Sequence, residues 1–294
     1  MFHSKKIFFL LIVLFLFIKS GDLIPAEENK ELFLHILTID GHANSIRQAS
    51  GVAVSSDGEI FVTDILNSNV KVFDKNGKFL YKFGKKGTAE GDFILPYDIL
   101  INNKNRIFVS DLSSYQIQVF DKNGKYIFKF GKYGNGIGEM NLPFGISIDS
   151  KDNVFIVDIE NNCVLKYNEL GQFIKQFGRQ GTLEGQFLQP TDITNGKDDE
   201  ILVTELMNSR VQIFDKEGNF LSKFGQAGSQ QGDFSHPKGI AVDSKGRIFV
   251  SDTGNGRVQV FDNKGAFLGV INGSSDGRVK MKSPAKIIFY FKNH

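Results

Sequence analysis

Five prolines stand at one spacing: Pro96, Pro143, Pro190, Pro237 and Pro284 are each 47 residues from the next. A fixed period of this length is the mark of a repeat architecture, in which each repeat is one supersecondary unit that buries its apolar surface against its neighbours. Other columns keep the same step. Acids recur at Asp64, Asp111, Asp158, Glu205 and Asp252, turn glycines at Gly77, Gly124, Gly171, Gly218 and Gly265, and aromatics at Phe73, Phe120, Tyr167, Phe214 and Phe261. Phe-Gly pairs recur at 83–84, 130–131, 177–178 and 224–225. Repetition thus accounts for 29 phenylalanines and 31 glycines in a chain with no tryptophan.

One period reads as four short strands. Gly239–Asp243 is an apolar strand, and Ser244-Lys245-Gly246 is a tight turn in which glycine supplies the left-handed conformation a hairpin needs. Arg247–Ser251 is a second strand, apolar on both faces. A polar loop from Asp252 to Gly256 leads to a third strand, Arg257–Phe261, and a turn over 262–265 leads to a fourth at Ala266–Ile271. No helical periodicity interrupts the pattern. Four antiparallel strands per period make a propeller blade, and strands apolar on both faces fit between two stacked neighbours, with the phenylalanines packing between blades.

These columns resemble the NHL repeat family over about residues 31–290. The family's Asn-x-Arg-Val stretch after an acid-ended strand stands at Asn208-Ser209-Arg210-Val211 and Asn255-Gly256-Arg257-Val258. Asn67-Ser68-Asn69-Val70 and Asn161-Asn162-Cys163-Val164 keep the asparagine, and Ser114-Tyr115-Gln116-Ile117 loses it. No Trp-Asp pair supports a WD40 or kelch reading. The resemblance implies six blades. Five complete blades run from about 49 to 283, Leu32–Leu37 aligns with an outer strand and Ala285–Tyr290 with an inner one. The expected architecture is therefore an all-β propeller with five complete blades and a composite, incomplete sixth. Asp262 lies 25 residues past Pro237, which puts its sixth-blade counterpart at 309, beyond residue 294. A naturally incomplete blade and a shortened C-terminus are both open.

The first twenty residues differ in kind. Lys5 and Lys6 precede an unbroken apolar run, Ile7–Ile18, of twelve residues. That is short for a transmembrane helix, which needs about twenty, and it fits a secretory signal peptide. An uncleaved membrane tether is the alternative. Residues 1–28 are expected to lie outside the fold, and residues 29–294 to form the propeller. The expected location is secreted, periplasmic or at the cell envelope, with membrane attachment only through the N-terminal segment. The single cysteine, Cys163, forms no internal disulfide, and no Cys/His cluster has zinc spacing. The formal charge of +2 falls to zero without residues 1–26, so the bulk balance gives no sign of a nucleic-acid binder.

Candidate chemistry is sparse. The Phe-Gly loops lack the following helix and the Gly-Lys-Ser/Thr of a phosphate cradle and read as turns. The acids Asp64, Asp111, Asp158, Glu205 and Asp252 each end a second strand, and as radially repeated residues they are expected to accept loop hydrogen bonds rather than to gather around a metal. Asp98 and Asp192 are more informative. They share a column with Gly51, Gly145, Gly239 and Lys286 at the start of each inner strand, facing the channel mouth. With Tyr97, Phe144, Thr191 and Lys238 beside them they form a candidate site for a cation or polar ligand. Capping of the preceding turn is the plain alternative. His35, His42 and His236 are too few for a catalytic zinc set, no nucleophile elbow occurs, and nothing in the sequence near Cys163 would lower its pKa. No catalytic residue, metal or cofactor is assigned.

The leading expectation is an exported binding scaffold that recognises a protein, peptide or glycan through the variable loops 84–95, 131–142, 178–189 and 225–236 together with the loops between second and third strands. Similar six-bladed propellers include metal-dependent lyases and lactonases, which makes an enzyme acting at the channel the second expectation. Animal NHL proteins that bind RNA or carry ubiquitin-ligase modules suggest a third. The absence of RING cysteines and the neutral charge count against it.

Overall fold

The computed structural model describes residues 46–272 and 283–288, together with the backbone of two short strands, Leu11–Val13 and Leu37–Ile39. Five four-stranded antiparallel sheets follow one another along the chain, each with its strands in sequence order. Their inner strands are Ala49–Val54, Pro96–Ile101, Pro143–Ile148, Pro190–Asn195 and Pro237–Val242. Their outer strands are Phe79–Phe83, Tyr126–Phe130, Phe173–Phe177, Phe220–Phe224 and Phe267–Ile271. Successive inner strands lie side by side, as blades around an axis require.

Burial follows position within the blade. Every residue of the second strands, from Ile60–Asp64 in blade one to Ile248–Asp252 in blade five, is buried, because a neighbouring blade or, at the two ends of the array, the segment 284–288 packs on each face. The outer strand of blade one alternates half-buried and exposed residues, the period-two pattern of a strand with one face in solvent. Apolar clusters join neighbouring blades. Phe61, Val70 and Val72 of blade one pack with Ile107, Val109 and Phe120 of blade two, and Ile117 and Val119 pack with Ile156 and Leu165 of blade three.

The shared step of the outer-strand phenylalanines and the turn glycines has its cause here. Gly124 turns the hairpin of blade two at φ +77°, and a Cβ at that point would stand 2.5 Å from the Phe83 ring of blade one. The same ring-on-glycine contact recurs between Phe130 and Gly171, Phe177 and Gly218, and Phe224 and Gly265. Glycine is needed twice over, for its left-handed backbone and for the ring that lies on it.

The sixth position is filled differently from the five blades. Residues 284–288 carry no ladder, yet Ile287 is buried against Ala241, Phe249 and Val258 of blade five while Ile288 packs against Val52, Ile60 and Phe73 of blade one. The segment bridges the two ends of the five-blade array at the place of a sixth inner strand. The expected strand over Ala285–Tyr290 is therefore seated without ladder partners among the described residues. The expected outer strand over Leu32–Leu37 lies outside the described residues except at Leu37. That residue opens Leu37–Ile39, which pairs antiparallel with Leu11–Val13. Apart from 11–13, residues 1–28 also lie outside the described residues. Among the described residues no helix is long and apolar enough to cross a membrane.

Candidate functional site

The inner strands bring one repeat column to the axis, and around the ring it alternates: Gly51, Asp98, Gly145, Asp192, Gly239, Lys286. Each glycine makes room for the following blade. A Cβ on Gly51 would lie 2.7 Å from the Asp98 Cα, and one on Gly145 would lie 2.6 Å from Asp192 Oδ1. A Cβ on Gly239 would overlap the Ala285 carbonyl. The space left by the glycines is occupied by the backbone and carboxylate of Asp98 and of Asp192 and by the backbone of Ala285 and Lys286.

Lys286 Nζ stands 2.7 Å from Asp98 Oδ2 and 2.8 Å from Asp192 Oδ1, with its side chain only 14% exposed. Both acids also bridge blades. Asp98 accepts the backbone N–H groups of Ile99 and, across the gap, of Ile146. Asp192 accepts those of Ile193 and Ile240. Hydroxyls on the second strands add a parallel set of ties. Thr63 donates to the Tyr97 carbonyl, Ser110 to that of Phe144 and Thr204 to that of Lys238. Ser251, the next in this column, has no partner for its hydroxyl, and blade five is tied to the 284–288 segment instead by the Thr253 hydroxyl, which donates to the Pro284 carbonyl, and by Ile287.

The electrostatics follow from two carboxylates sharing one ammonium out of water. Burial raises the Asp192 pKa above the usual carboxylate range; Lys286 opposes the shift and Asp98 adds to it. Burial would lower the Lys286 pKa, but the charges of Asp192 and Asp98 outweigh it, and the ammonium is held more firmly than usual. Burial and the same two acids raise the Tyr97 hydroxyl pKa.

Five of the six candidate mouth residues, Asp98, Asp192, Tyr97, Thr191 and Lys238, line one cavity together with Lys286. Phe144 packs against Tyr97, their ring centroids 4.2 Å apart. The cavity holds about 30 Å³, room for roughly two waters. The place for a cation between the acids is taken by the chain's own ammonium. Sequence reasoning put Lys286 in this column without giving it a role; the shared 47-residue step was the signal available.

Comparison with known proteins agrees with this geometry. A family model described as a 6-bladed beta-propeller matches residues 41–107 and again 103–180. A model of the NHL repeat matches residues 234–261, the stretch that carries Asn255-Gly256-Arg257-Val258. The chain is a β-propeller of the NHL type. Over 54 residues it is 33% identical to protein brain tumor of Drosophila melanogaster, a match covering 18% of this chain and 5% of that one. The NHL propeller also superposes on a streptogramin B lyase with TM-score 0.60 at 15% identity, covering 76% of this chain and 68% of the other. A gluconolactonase from Xanthomonas campestris gives TM-score 0.60 at 16% identity, with 81% and 78% covered. A virginiamycin B lyase from Staphylococcus aureus gives 0.61 at 18%, with 82% and 74% covered. At such identities the likeness to the three enzymes is one of fold.

In this NHL propeller the second-strand acids join the loop leading into each blade to the loop between its second and third strands. Asp64 accepts the backbone N–H groups of Arg47 and Gln48, Asp111 those of Ile94, Leu95, Ser113 and Ser114, and Asp158 those of Asn141 and Asn161. Glu205 accepts from Leu188, and Asp252 from Ser235. The signature side chains complete the clamp. Asn208 and Asn255 donate to the acid and to the carbonyls of Gly181 and Gly228. Arg210 and Arg257 pair with Glu205 and Asp252 and reach further leading-loop carbonyls. Among the described residues no group of three or more His, Cys, Asp or Glu is placed to hold a metal ion.

Blade three departs from the clamp. Cys163 stands where blades four and five have arginine, and Leu165 where blade one has Lys71 and the others glutamine. With no cation beside it, Asp158 is pushed by burial up to about 6. Burial, then the Asp158 charge, pushes the Cys163 thiol up to about 12. His236 is exposed, 3.2 Å through Nδ1 from the Ser235 hydroxyl. His42, its expected neighbour, lies outside the described residues.

The loop face carries apolar side chains in solvent. Ile137 is 83% exposed, Leu183 67%, Tyr133 62% and Met207 55%. The Tyr133 ring lies tilted against that of Tyr115 of the adjoining loop at 4.6 Å between centroids, and the Met207 backbone N–H donates to the Leu188 carbonyl, so the two kinds of loop form one surface.

Proposed function

We propose that this propeller is an exported, non-catalytic scaffold that binds a polypeptide partner on the loop face of blades two to four. The carrying observation is the set Tyr133, Ile137, Leu183 and Met207, large apolar side chains held in solvent on loops anchored by the acid clamps. Exposed apolar residues on a rigid frame are what a protein interface desolvates, and aromatic and methionine side chains are enriched in such patches. A glycan falls within the same reading through the Tyr115–Tyr133 aromatic pair. Catalysis at the channel has less support, because Lys286 already neutralises Asp98 and Asp192 and the adjacent cavity has the size of water. Export rests on Lys5, Lys6 and the apolar run Ile7–Ile18.

The test compares partners captured from the cell envelope by the wild type and by two variants. Ile137→Asp with Leu183→Asp leaves thermal stability unchanged and loses the wild-type partner; retention of that partner overturns the loop-face reading. Asp98→Asn with Asp192→Asn keeps the partner; its selective loss moves recognition to the channel mouth. Deleting residues 1–28 leaves the protein in the cytoplasm if the segment is its export address.

A further inference from the structure

The chain is neutral overall beyond its N-terminus, but the rim of the propeller is not. The twelve residues from each outer hairpin turn through the outer strand give the comparison. Residues 74–85 and 121–132 each hold four lysines and one aspartate, a net charge of +3 apiece. The corresponding stretches of the other blades, 168–179, 215–226 and 262–273, carry +1, 0 and 0. The charge is concentrated on two adjacent blades, which the Tyr81 hydroxyl ties together by donating to the Lys122 carbonyl.

The pleat turns this charge outward. Lys78, Leu80 and Lys82 occupy alternate positions of one outer strand and its turn, and Lys125, Ile127 and Lys129 occupy the same positions of the next; all six are exposed. None of these four lysines has a carboxylate partner among the described residues. Asp74 and Asp121 each accept two backbone N–H groups of their own turns through Oδ1 and form no ion pair with these lysines. Glu59 and Glu90 influence Tyr81 and Tyr126, which point to the opposite side of the same strands. Between the lysines Leu80 and Ile127 are 42% and 44% exposed.

We infer that the rim of blades one and two docks on an anionic lipid bilayer. Lysines spread over a surface, each attracted to diffuse negative charge, suit a headgroup layer, and the aliphatic side chains between them suit the shallow apolar region beneath it. A nucleic-acid surface would favour arginine for bidentate phosphate contacts and exposed aromatics for base stacking. Residues 74–86 and 121–132 contain no arginine. The chain also reaches blade one from the apolar run Ile7–Ile18, thirty residues before the inner strand that opens at Ala49.

The experiment measures binding of the full chain to phosphatidylcholine vesicles with and without phosphatidylglycerol. The N-terminal run, whose Lys5 and Lys6 also favour anionic lipid, is common to all variants, so the rim is read from the change in preference between wild type and variant. The wild type prefers the anionic vesicles, and salt removes the preference. Changing Lys78, Lys82, Lys125 and Lys129 together to Gln lowers anionic-vesicle binding roughly a hundredfold with thermal stability unchanged. Leu80→Ser with Ile127→Ser, which keeps the charge, weakens it about fivefold and leaves binding to a soluble polyanion untouched. Equal wild-type binding to both lipids, or an unaltered preference in the four-lysine variant, overturns the inference. So does tighter wild-type binding to an RNA oligomer than to the anionic vesicles.

Discussion

At position 163 the third blade carries a thiol where blades four and five carry a guanidinium, and Asp158 shows the consequence. Its pKa rises from 3.8 to about 6 because burial is opposed only by neutral hydrogen bonds. The folded state therefore holds this proton more tightly than the unfolded chain. The stabilisation from the protonated acid is complete below about pH 4 and is lost as pH rises through about 6, a swing on the order of 3 kcal/mol. Cys163→Arg would supply the cation and reach the leading-loop carbonyls, as Arg210 reaches those of Thr182 and Leu183. The expected outcome is a protein more stable at pH 7 by about 1–3 kcal/mol, with a flatter stability profile between pH 4 and 7. Urea denaturation across that range checks it, and an unaltered profile would show that Asp158 is not the group responsible. The departure from Arg at 163 was visible in the sequence. Its cost was not, since that depends on how deeply the carboxylate lies.

Within a strand, spacing and burial decide what a glycine is for. Gly145 has an ordinary backbone, but its missing Cβ is the space that the Asp192 backbone and carboxylate occupy. Gly145→Ala forces the inner strands of blades three and four apart and should cost about 1–3 kcal/mol, read as a lowered midpoint in thermal unfolding. Gly269, on the outer strand of blade five, has nothing within 4 Å of a built Cβ, so Gly269→Ala should be neutral or slightly stabilising. Similar losses in both would mean that strand propensity, not blade spacing, sets the price. The 47-residue columns made the strands, turns and blade count of residues 49–271 legible before any coordinates, because each column repeats one local requirement. The alternation Gly-Asp-Gly-Asp-Gly-Lys was equally present in the sequence. Its meaning was hidden because it joins residues 94 and 188 positions apart, which meet only when the strands converge on one axis.

For the molecule as a whole, the question is what turns five blades into a ring, and the structure gives one short segment that task. Ile287 lies against blade five, Ile288 against blade one, and Lys286 between them reaches the acids of blades two and four. Closure is thus chemical as well as apolar, and it couples four blades that share no ladder. Lys286→Met keeps the bulk of the side chain and removes the charge, leaving two buried carboxylates facing each other. Breaking a buried ion pair in this way costs about 3–5 kcal/mol. Without the ammonium nothing cationic opposes the burial that already raises the Asp192 pKa, so this acid binds its proton more tightly in the folded state than in the unfolded chain. The variant should therefore recover stability as pH falls and lose most of it at alkaline pH. Amide exchange should report the loss first in blades one and five, whose inner strands depend on the segment to cover them, with blades two to four protected longer. Adding Asp98→Asn and Asp192→Asn to Lys286→Met removes the repulsion and should restore much of the stability and abolish the pH dependence. If Lys286→Met unfolds at the wild-type midpoint at every pH, or if exchange rises evenly in all five blades, the ring is held by apolar packing alone and the central ions are passengers.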